Sequence, residues 1–237
     1  MAELVLVIGK SGCGKSTSLR NLPPKETCIF VPNSKSLPFP GAAQQYKVGE
    51  NLIVNSELDD IQGLVQHVND NMPHIKTLVI EDFTHCFTAR IFDPVFLSRT
   101  TGGDAFQRWN DFGASVYQAL FAMADKWRDD LYITVLHHTE IKEDGTIGFR
   151  SSGKLLDNTI DIPSYFNYMF HALVQRADTP DGRRYVFQTN EDSVRQAKSV
   201  TGVFPDMFVA NDLQKVLTRI RDFKAGKVDM SKIKFIE

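Results

Sequence analysis

A short segment near the start of the chain, residues 9–16, constrains the fold more than any other feature. It reads Gly-Lys-Ser-Gly-Cys-Gly-Lys-Ser and fits the pattern G-x-x-x-x-G-K-[ST] at every fixed position. An apolar run over residues 4–8 precedes it and indicates a buried strand. Residues 17–20 are predicted to continue as a helix that Pro23 and Pro24 end. Strand, glycine loop and helix are together the context of a phosphate-binding P-loop.

The residues of this loop predict a defined chemistry. Glycines let the backbone turn its N–H groups toward an anion, and the following helix adds its positive end. Lys15 is expected to reach the β- and γ-phosphates of a nucleotide, and the Ser16 hydroxyl to ligate Mg²⁺. The predicted nucleotide-binding residues are Gly9, Ser11, Gly12, Cys13, Gly14, Lys15, Ser16 and Thr17.

Cys13 allows two interpretations. The helix N-terminus could lower the pKa of its thiol, or the side chain is simply small enough to fit the loop. The second interpretation is the plainer one. Cys13, Cys28 and Cys86 are few and unpatterned, which favours reduced thiols and a location in the cytoplasm.

Length and charge set broad limits. A chain of 237 residues suits one α/β domain, predicted over residues 1–224, followed by a basic tail over 225–237. The net charge of −2 argues against a surface coated by nucleic acid, but it leaves room for a local basic groove. No apolar run approaches the roughly 20 residues that a membrane span needs, and we expect neither a leader segment nor a membrane partner.

Apolar runs and turn signals predict an α/β fold with a largely parallel sheet flanked by helices. Further strands are expected at residues 27–31, 52–54, 77–82 and 131–136. Residues 168–174 and 184–188 flank a Thr-Pro-Asp-Gly turn and predict an antiparallel C-terminal hairpin. Residues 93–104 and 141–158 are expected to be loops.

Three predicted helices complete the pattern. Ser56 is expected to cap the first, whose apolar face includes Ile61 and Val65. The second carries an apolar stripe from Phe106 to Trp127 that is typical of core packing. Asn211 or Asp212 is expected to cap the last.

Polar residues stand where two of the predicted strands end. Glu81 and Asp82 end the strand predicted over residues 77–82, and carboxylates at that place fit a role in holding Mg²⁺ and orienting water. Which acid serves the metal and which the water stays open. His138, beside His137, ends the strand over 131–136 and is a candidate sensor of the γ-phosphate. Glu57 is a weaker candidate for the catalytic base.

Two basic loops follow these strand ends. Residues 90–108 carry Arg99 and Arg108, and residues 142–154 carry Arg150 and Lys154. Basic and aromatic side chains on a loop can follow single-stranded DNA by phosphate contact and stacking. The alternatives are solvated loops, an oligomer interface, or Arg150 or Lys154 acting in trans on a neighbour's γ-phosphate.

Beyond the P-loop, four segments resemble the phage-encoded RecA-like P-loop ATPases that include single-strand annealing recombinases. They are residues 35–41, 77–83, 138–145 with 153–157, and 197–204 with 211–213. Glu81, where Asp is commoner, and Val200 depart from that group's pattern. The resemblance implies a RecA-like (AAA-type) fold, ATP hydrolysis, and His138 as the sensor.

The same resemblance implies a homo-oligomer, a ring or a filament, with ATP near the subunit boundary. It also implies action on single-stranded DNA beside a single-strand-binding protein, in DNA recombination, annealing or replication in the host cytoplasm. Two alternatives remain. One is a nucleotide or small-molecule kinase, although the loop over 142–154 lacks the several arginines of a kinase lid. The other is an ATP-gated DNA- or protein-interaction module with little turnover.

Overall fold

One mixed sheet organises the chain. The computed structural model describes residues 1–32, 35–151 and 153–228. Within them, an eight-stranded sheet has the order β10-β9-β8-β1-β5-β4-β2-β3. Its strands are β1 (Glu3–Ile8), β2 (Thr27–Val31), β3 (Leu52–Val54), β4 (Thr77–Ile80), β5 (Tyr132–His137), β8 (Tyr168–Arg176), β9 (Arg183–Gln188) and β10 (Phe208–Ala210).

Along the sheet, the neighbouring strands β8, β1, β5, β4, β2 and β3 pair in parallel. β9 pairs antiparallel with β8 on one side and with β10 on the other. β5 therefore lies between the P-loop strand β1 and the acid-bearing strand β4. This confirms the predicted RecA-like α/β fold with an antiparallel C-terminal extension.

Alternation along the strands divides the core into two layers. On one face, Leu6 and Ile80 lie in a cluster with α2 (Asp60–Asn71), α3 (Phe83–Ile91) and α5 (Gly102–Leu120). On the other face, Val7 and Val79 pack with α1 (Ala42–Gln45), α7 (Leu213–Lys224) and the 3₁₀ helix Ser16–Asn21. Both faces being covered explains why the parallel strands are continuously apolar.

Several predicted element limits were wrong. The helix predicted after the P-loop is present, as a 3₁₀ helix over Ser16–Asn21. α2 begins at Asp60, so Ser56 is not its cap. α5 ends at Leu120, and Phe106 is exposed because it lies on the solvent side of the first turns, whereas Phe112 is buried.

The two predicted loops contain regular structure. The short helix α4 (Pro94–Ser98) begins where Asp93 caps the N–H groups of Val95 and Phe96. β6 (Thr139–Ile141) and β7 (Ile147–Phe149) form a small antiparallel hairpin, and α6 (Lys154–Asp157) follows. Turn residues at 143–146 dominate the composition there and hid the short strands.

The strands of the eight-stranded sheet lie between residues 3 and 210, and α7 packs on this sheet up to Lys224. The division into a domain over 1–224 and a tail over 225–237 stays a prediction, and residues 229–237 of that tail lie outside the described residues. No helix in the described ranges is long and apolar enough to span a bilayer. The three cysteines are buried and unpaired.

Candidate phosphate-binding site

The predicted site residues meet at the carboxyl edge of the parallel strands. The P-loop follows β1, the two acids follow β4, and His138 follows β5. Parallel strands bring these ends to one edge of the sheet. There the two acids, His138 and the loop residues 11, 12 and 14–17 line a cavity of about 560 Å³, whereas Gly9 and Cys13 are not in its lining. Residues 35–38 and a second wall formed by Arg20, Tyr185, Ala210 and Asn211 complete the lining.

The P-loop backbone turns through two residues with positive φ. Gly12 has φ +78° and Gly14 has φ +93°, a region that favours glycine. Gly9 is constrained by space, because a Cβ there would lie 2.5 Å from Cys13 Sγ and 2.7 Å from the Ala172 carbonyl oxygen. Burial raises the pKa of the Cys13 thiol, so the side chain serves packing and is not an activated thiolate.

Lys15 is held against its own loop. Its buried ammonium group donates to the carbonyl oxygens of Gly9, at 2.7 Å, and Lys10, at 3.0 Å. Burial lowers the pKa of Lys15, and the nearby thiol of Cys13 and carboxylates of Asp82 and Glu81 partly oppose this. The third N–H of the ammonium can still donate to an anion in the loop.

Ser16 joins the P-loop to the acidic strand end. Its hydroxyl donates to Glu81 Oε1 at 2.5 Å. Burial raises the pKa of Glu81, although the Ser16 hydrogen bond acts in the opposite direction. Asp82 has φ +54° and stands at the N-cap of α3 without a capping hydrogen bond. Its carboxylate instead lies 3.7 Å from Nε2 of His138.

The adjacent histidines have different surroundings. His138 is half-buried, lines the cavity, and donates its backbone N–H to Thr84 Oγ1 at 2.8 Å. Burial and then the charge of Lys15 lower its pKa, so its approach to Asp82 is not an ion pair near neutral pH. His137 is fully buried, stacks on Phe149, and contacts the Arg150 carbonyl oxygen at 2.7 Å.

Within the described part of the structure, Arg99, Arg108 and Arg150 are not part of the cavity lining. Arg99 pairs with Asp111 at 2.6 Å, and Arg108 donates to the Phe96 carbonyl oxygen while lying over the Phe96 ring. Arg150 is exposed on the hairpin after β7. Lys154 begins α6, and its side chain lies outside the described part of the structure. Glu57 is exposed and also absent from the lining.

Sequence reasoning missed the second wall of the cavity. Asn211 was considered only as a helix cap, but Asp212 caps α7 by accepting from the Lys215 N–H. Tyr185 was assigned only to a hairpin strand. The sequence signal for Asn211 was its place beside Asp212. Only one of two adjacent residues of the capping type can cap the helix, so the other is expected to have a different role.

The donor set fits a small hard cation held in part by a nucleotide. Ser16 and Glu81 place two oxygen atoms together, and Asp82 lies next to them in the lining. Mg²⁺ prefers oxygen ligands and is usually bound by one or two carboxylates, phosphates and water. The described ranges contain no cluster of three or more His, Cys, Asp or Glu side chains that could hold a metal.

Comparison with known proteins adds little detail. No protein-family model and no curated protein sequence matches the chain. Among solved structures, a KaiC-like protein from the hyperthermophilic archaeon Pyrococcus horikoshii matches at 13% identity and a TM-score of 0.44, covering 87% of this chain and 88% of that one. The strand order and the P-loop themselves define this chain as a P-loop protein of RecA-like fold.

Proposed function

We propose that the protein binds and hydrolyses ATP with Mg²⁺. The observation that supports this best is the Ser16–Glu81 hydrogen bond, because it brings the P-loop hydroxyl and a strand-end carboxylate together beside Lys15. A phosphate chain in the loop would meet a hydroxyl, a carboxylate and an ammonium group at one end. This is the arrangement that phosphoryl transfer to water requires.

Each residue has a role that its contacts allow. The N–H groups of residues 11–17 would cradle the phosphates, and Lys15 would turn from Gly9 and Lys10 toward them. Ser16 and Glu81 or Asp82 would hold Mg²⁺, which supplies neutralising charge when bound. His138, neutral because its pKa is lowered, can donate to or accept from a γ-phosphate or its attacking water.

We further propose that this ATPase acts on single-stranded DNA in recombination, annealing or replication. The four sequence segments that resemble the phage ATPases support this step, as does the hairpin at the carboxyl edge with exposed Arg150. The same resemblance supports a homo-oligomer with ATP near the subunit interface, a single-strand-binding protein as partner, and a phage protein in the host cytoplasm.

The test of the ATPase is a steady-state hydrolysis assay with and without Mg²⁺. Wild type is expected to turn over only with Mg²⁺, and Lys15→Ala to lose turnover. Lys25→Ala is the matched control, since Lys25 is exposed and outside the cavity. Near-normal hydrolysis by Lys15→Ala would contradict the assignment.

The DNA step is tested by repeating the assay with single-stranded DNA at low and moderate salt. Salt-sensitive stimulation is expected if the exposed Arg150, which follows β7, contacts the phosphate backbone, and Arg150→Ala should reduce it. Stimulation by a nucleoside monophosphate, with ADP release but without DNA dependence, would favour a kinase. Oligomerisation with ATP but without turnover would favour an ATP-gated interaction protein.

A further inference from the structure

The sheet order places two groups of cavity residues on opposite sides of the P-loop strand. β5 and β4, on one side of the P-loop strand, carry His138 and the two acids. β8, β9 and β10 lie on the other side. Tyr185 lies on β9 and Asn211 follows β10, and both line the cavity. If the proposed function holds and the terminal phosphate faces Glu81, the nucleoside must leave the P-loop toward β9 and β10.

The P-loop and this second wall are in close contact at Gly14. A Cβ on Gly14 would lie 2.9 Å from Cδ1 of Tyr185, 3.2 Å from Oδ1 of Asn211 and 3.3 Å from its Nδ2. The tyrosine ring and the carboxamide therefore lie directly beside the loop that would hold the phosphates. Tyr185 remains 38% exposed, so one part of its ring is accessible from the cavity side.

Asn211 has an unused hydrogen-bond donor. The residue is 4% exposed and lines the cavity, and its Nδ2 has no hydrogen-bond partner among the described residues. An unsatisfied buried N–H₂ group costs free energy unless a ligand or water accepts from it. Its position in the lining points to a ligand atom that accepts a hydrogen bond.

The backbone around Asn211 is held in place independently of any ligand. Arg20 donates to the Asn211 carbonyl oxygen at 2.8 Å, and Asn21 donates to the Asp212 carboxylate at 2.8 Å. Both donors belong to the 3₁₀ helix that follows the P-loop. The wall and the P-loop thus form one preorganised unit, which is how a binding residue gains affinity at low entropic cost.

We propose that Asn211 and Tyr185 hold the nucleoside half of the triphosphate. Nδ2 of Asn211 donates to an acceptor on the base or ribose, and the Tyr185 ring gives a face on which the base or sugar packs. Aromatic–base stacking and a buried hydrogen bond are contacts that an inorganic polyphosphate cannot make.

The test compares ADP with inorganic pyrophosphate, both with Mg²⁺, as ligands of the full chain. Thermal-unfolding midpoints across a concentration series give the dissociation constant of each ligand, weak or tight. Asn211→Ala is expected to weaken ADP binding about tenfold, as for one lost hydrogen bond. Tyr185→Ala is expected to weaken it about fivefold or more, and Tyr185→Phe to retain it. Pyrophosphate affinity should stay within about twofold of wild type in all three.

Two results would overturn the inference: unchanged ADP affinity in both alanine variants, or an equal loss for ADP and pyrophosphate. A wild type stabilised by neither ligand would instead contradict the proposed function. The thermal-unfolding midpoint of each variant without ligand shows whether it folds. If Asn211→Ala does not fold, the Tyr185 variants still decide the test, because Tyr185 is exposed and its substitution is expected to leave the fold intact.

Discussion

The hydroxyl of Ser16 donates a 2.5 Å hydrogen bond to Oε1 of Glu81, and this contact distinguishes the surroundings of two adjacent acids. Glu81 faces the P-loop, whereas the carboxylate of Asp82 lies 3.7 Å from the His138 ring. The left-handed backbone of Asp82, at φ +54°, turns the chain between them. Such strain in a non-glycine residue is typical of a functional site.

This geometry predicts that Glu81 serves the metal and Asp82 the water. Glu81→Gln is expected to raise the Mg²⁺ concentration needed for half-maximal nucleotide binding about tenfold or more, because a charged ligand is lost. Asp82→Asn should leave that requirement within about twofold and lower turnover at saturating Mg²⁺. Mg²⁺ titrations of ADP binding and of hydrolysis measure both quantities. The reverse pattern would exchange the two roles.

Alanine substitutions at two glycines distinguish the effect of backbone strain from the effect of a steric clash in the site. Gly14 and Gly49 have φ values of +93° and +83°, so alanine at either position is strained by roughly 1–2 kcal/mol. Only at Gly14 would the new Cβ meet Tyr185 and Asn211; at Gly49 nothing lies within 4 Å.

We therefore expect both alanine variants to lose stability in urea unfolding, but only Gly14→Ala to lose ADP binding. Gly49→Ala serves as the matched control, since it carries the same backbone cost in a surface turn. Equal ADP affinity in the two variants would mean that the close approach at Gly14 does not shape the site.

His138 should act as a neutral ring. Its pKa is lowered from 6.5 by burial and by the charge of Lys15, so wild-type turnover is expected to hold as pH falls to 6.5 and to decline only below it. His138→Gln should turn over more slowly at pH 7.5, bind ADP nearly as wild type does, and lack that decline. Rate profiles from pH 5.5 to 8, with His74→Gln as an exposed control, measure this. A persistent acidic decline in His138→Gln would assign it to another group.

The sequence predicted the sheet, and it predicted which candidate residues lie along one wall of the cavity, because continuous apolar strands and a fixed-spacing loop leave local signals. It placed the P-loop, Glu81, Asp82 and His138 at strand ends, and parallel pairing then brings them together. It did not predict the contact of Tyr185 and Asn211 with Gly14, which joins residues about 170 to 200 positions apart. Such a contact depends on the side to which β8–β10 extend, and no local pattern encodes that.

The β6–β7 hairpin was not predicted, for a different reason. The three-residue strands β6 and β7 are too short to show alternation above the turn residues between them. β7 is anchored by tertiary contacts, in which His137 stacks on Phe149 and contacts the Arg150 carbonyl oxygen. Nothing in the local composition of 141–158 indicates that anchor.

The last prediction concerns His137 and the stability of the folded protein at acidic pH. Since the Arg150 carbonyl oxygen can only accept, Nε2 of His137 must carry the proton. Nδ1 is buried and has no hydrogen-bond partner in the described part of the structure. A second proton on Nδ1 would be a buried charge with no acceptor. Burial accordingly lowers the pKa of His137 to about 3.

A histidine whose pKa is lowered in the folded state binds fewer protons there than in the unfolded chain, where its pKa is about 6.5. Its contribution to stability is therefore complete above pH 6.5 and is lost as pH falls toward 3. Between pH 7.5 and 5 this residue alone should cost roughly 2 kcal/mol of unfolding free energy.

His137→Phe keeps a ring against Phe149 but cannot titrate. We expect this variant to be less stable than wild type at pH 7.5, because the contact with the Arg150 carbonyl oxygen is lost. Between pH 7.5 and pH 5, its free energy of unfolding should fall by about 2 kcal/mol less than that of wild type. Urea unfolding at pH 7.5, 6 and 5 measures the difference. His171, whose pKa is lowered to about 4, adds the same acid sensitivity to both proteins and cancels in the comparison. His74→Gln should follow wild type, and parallel curves for wild type and His137→Phe would show that His137 does not titrate on unfolding.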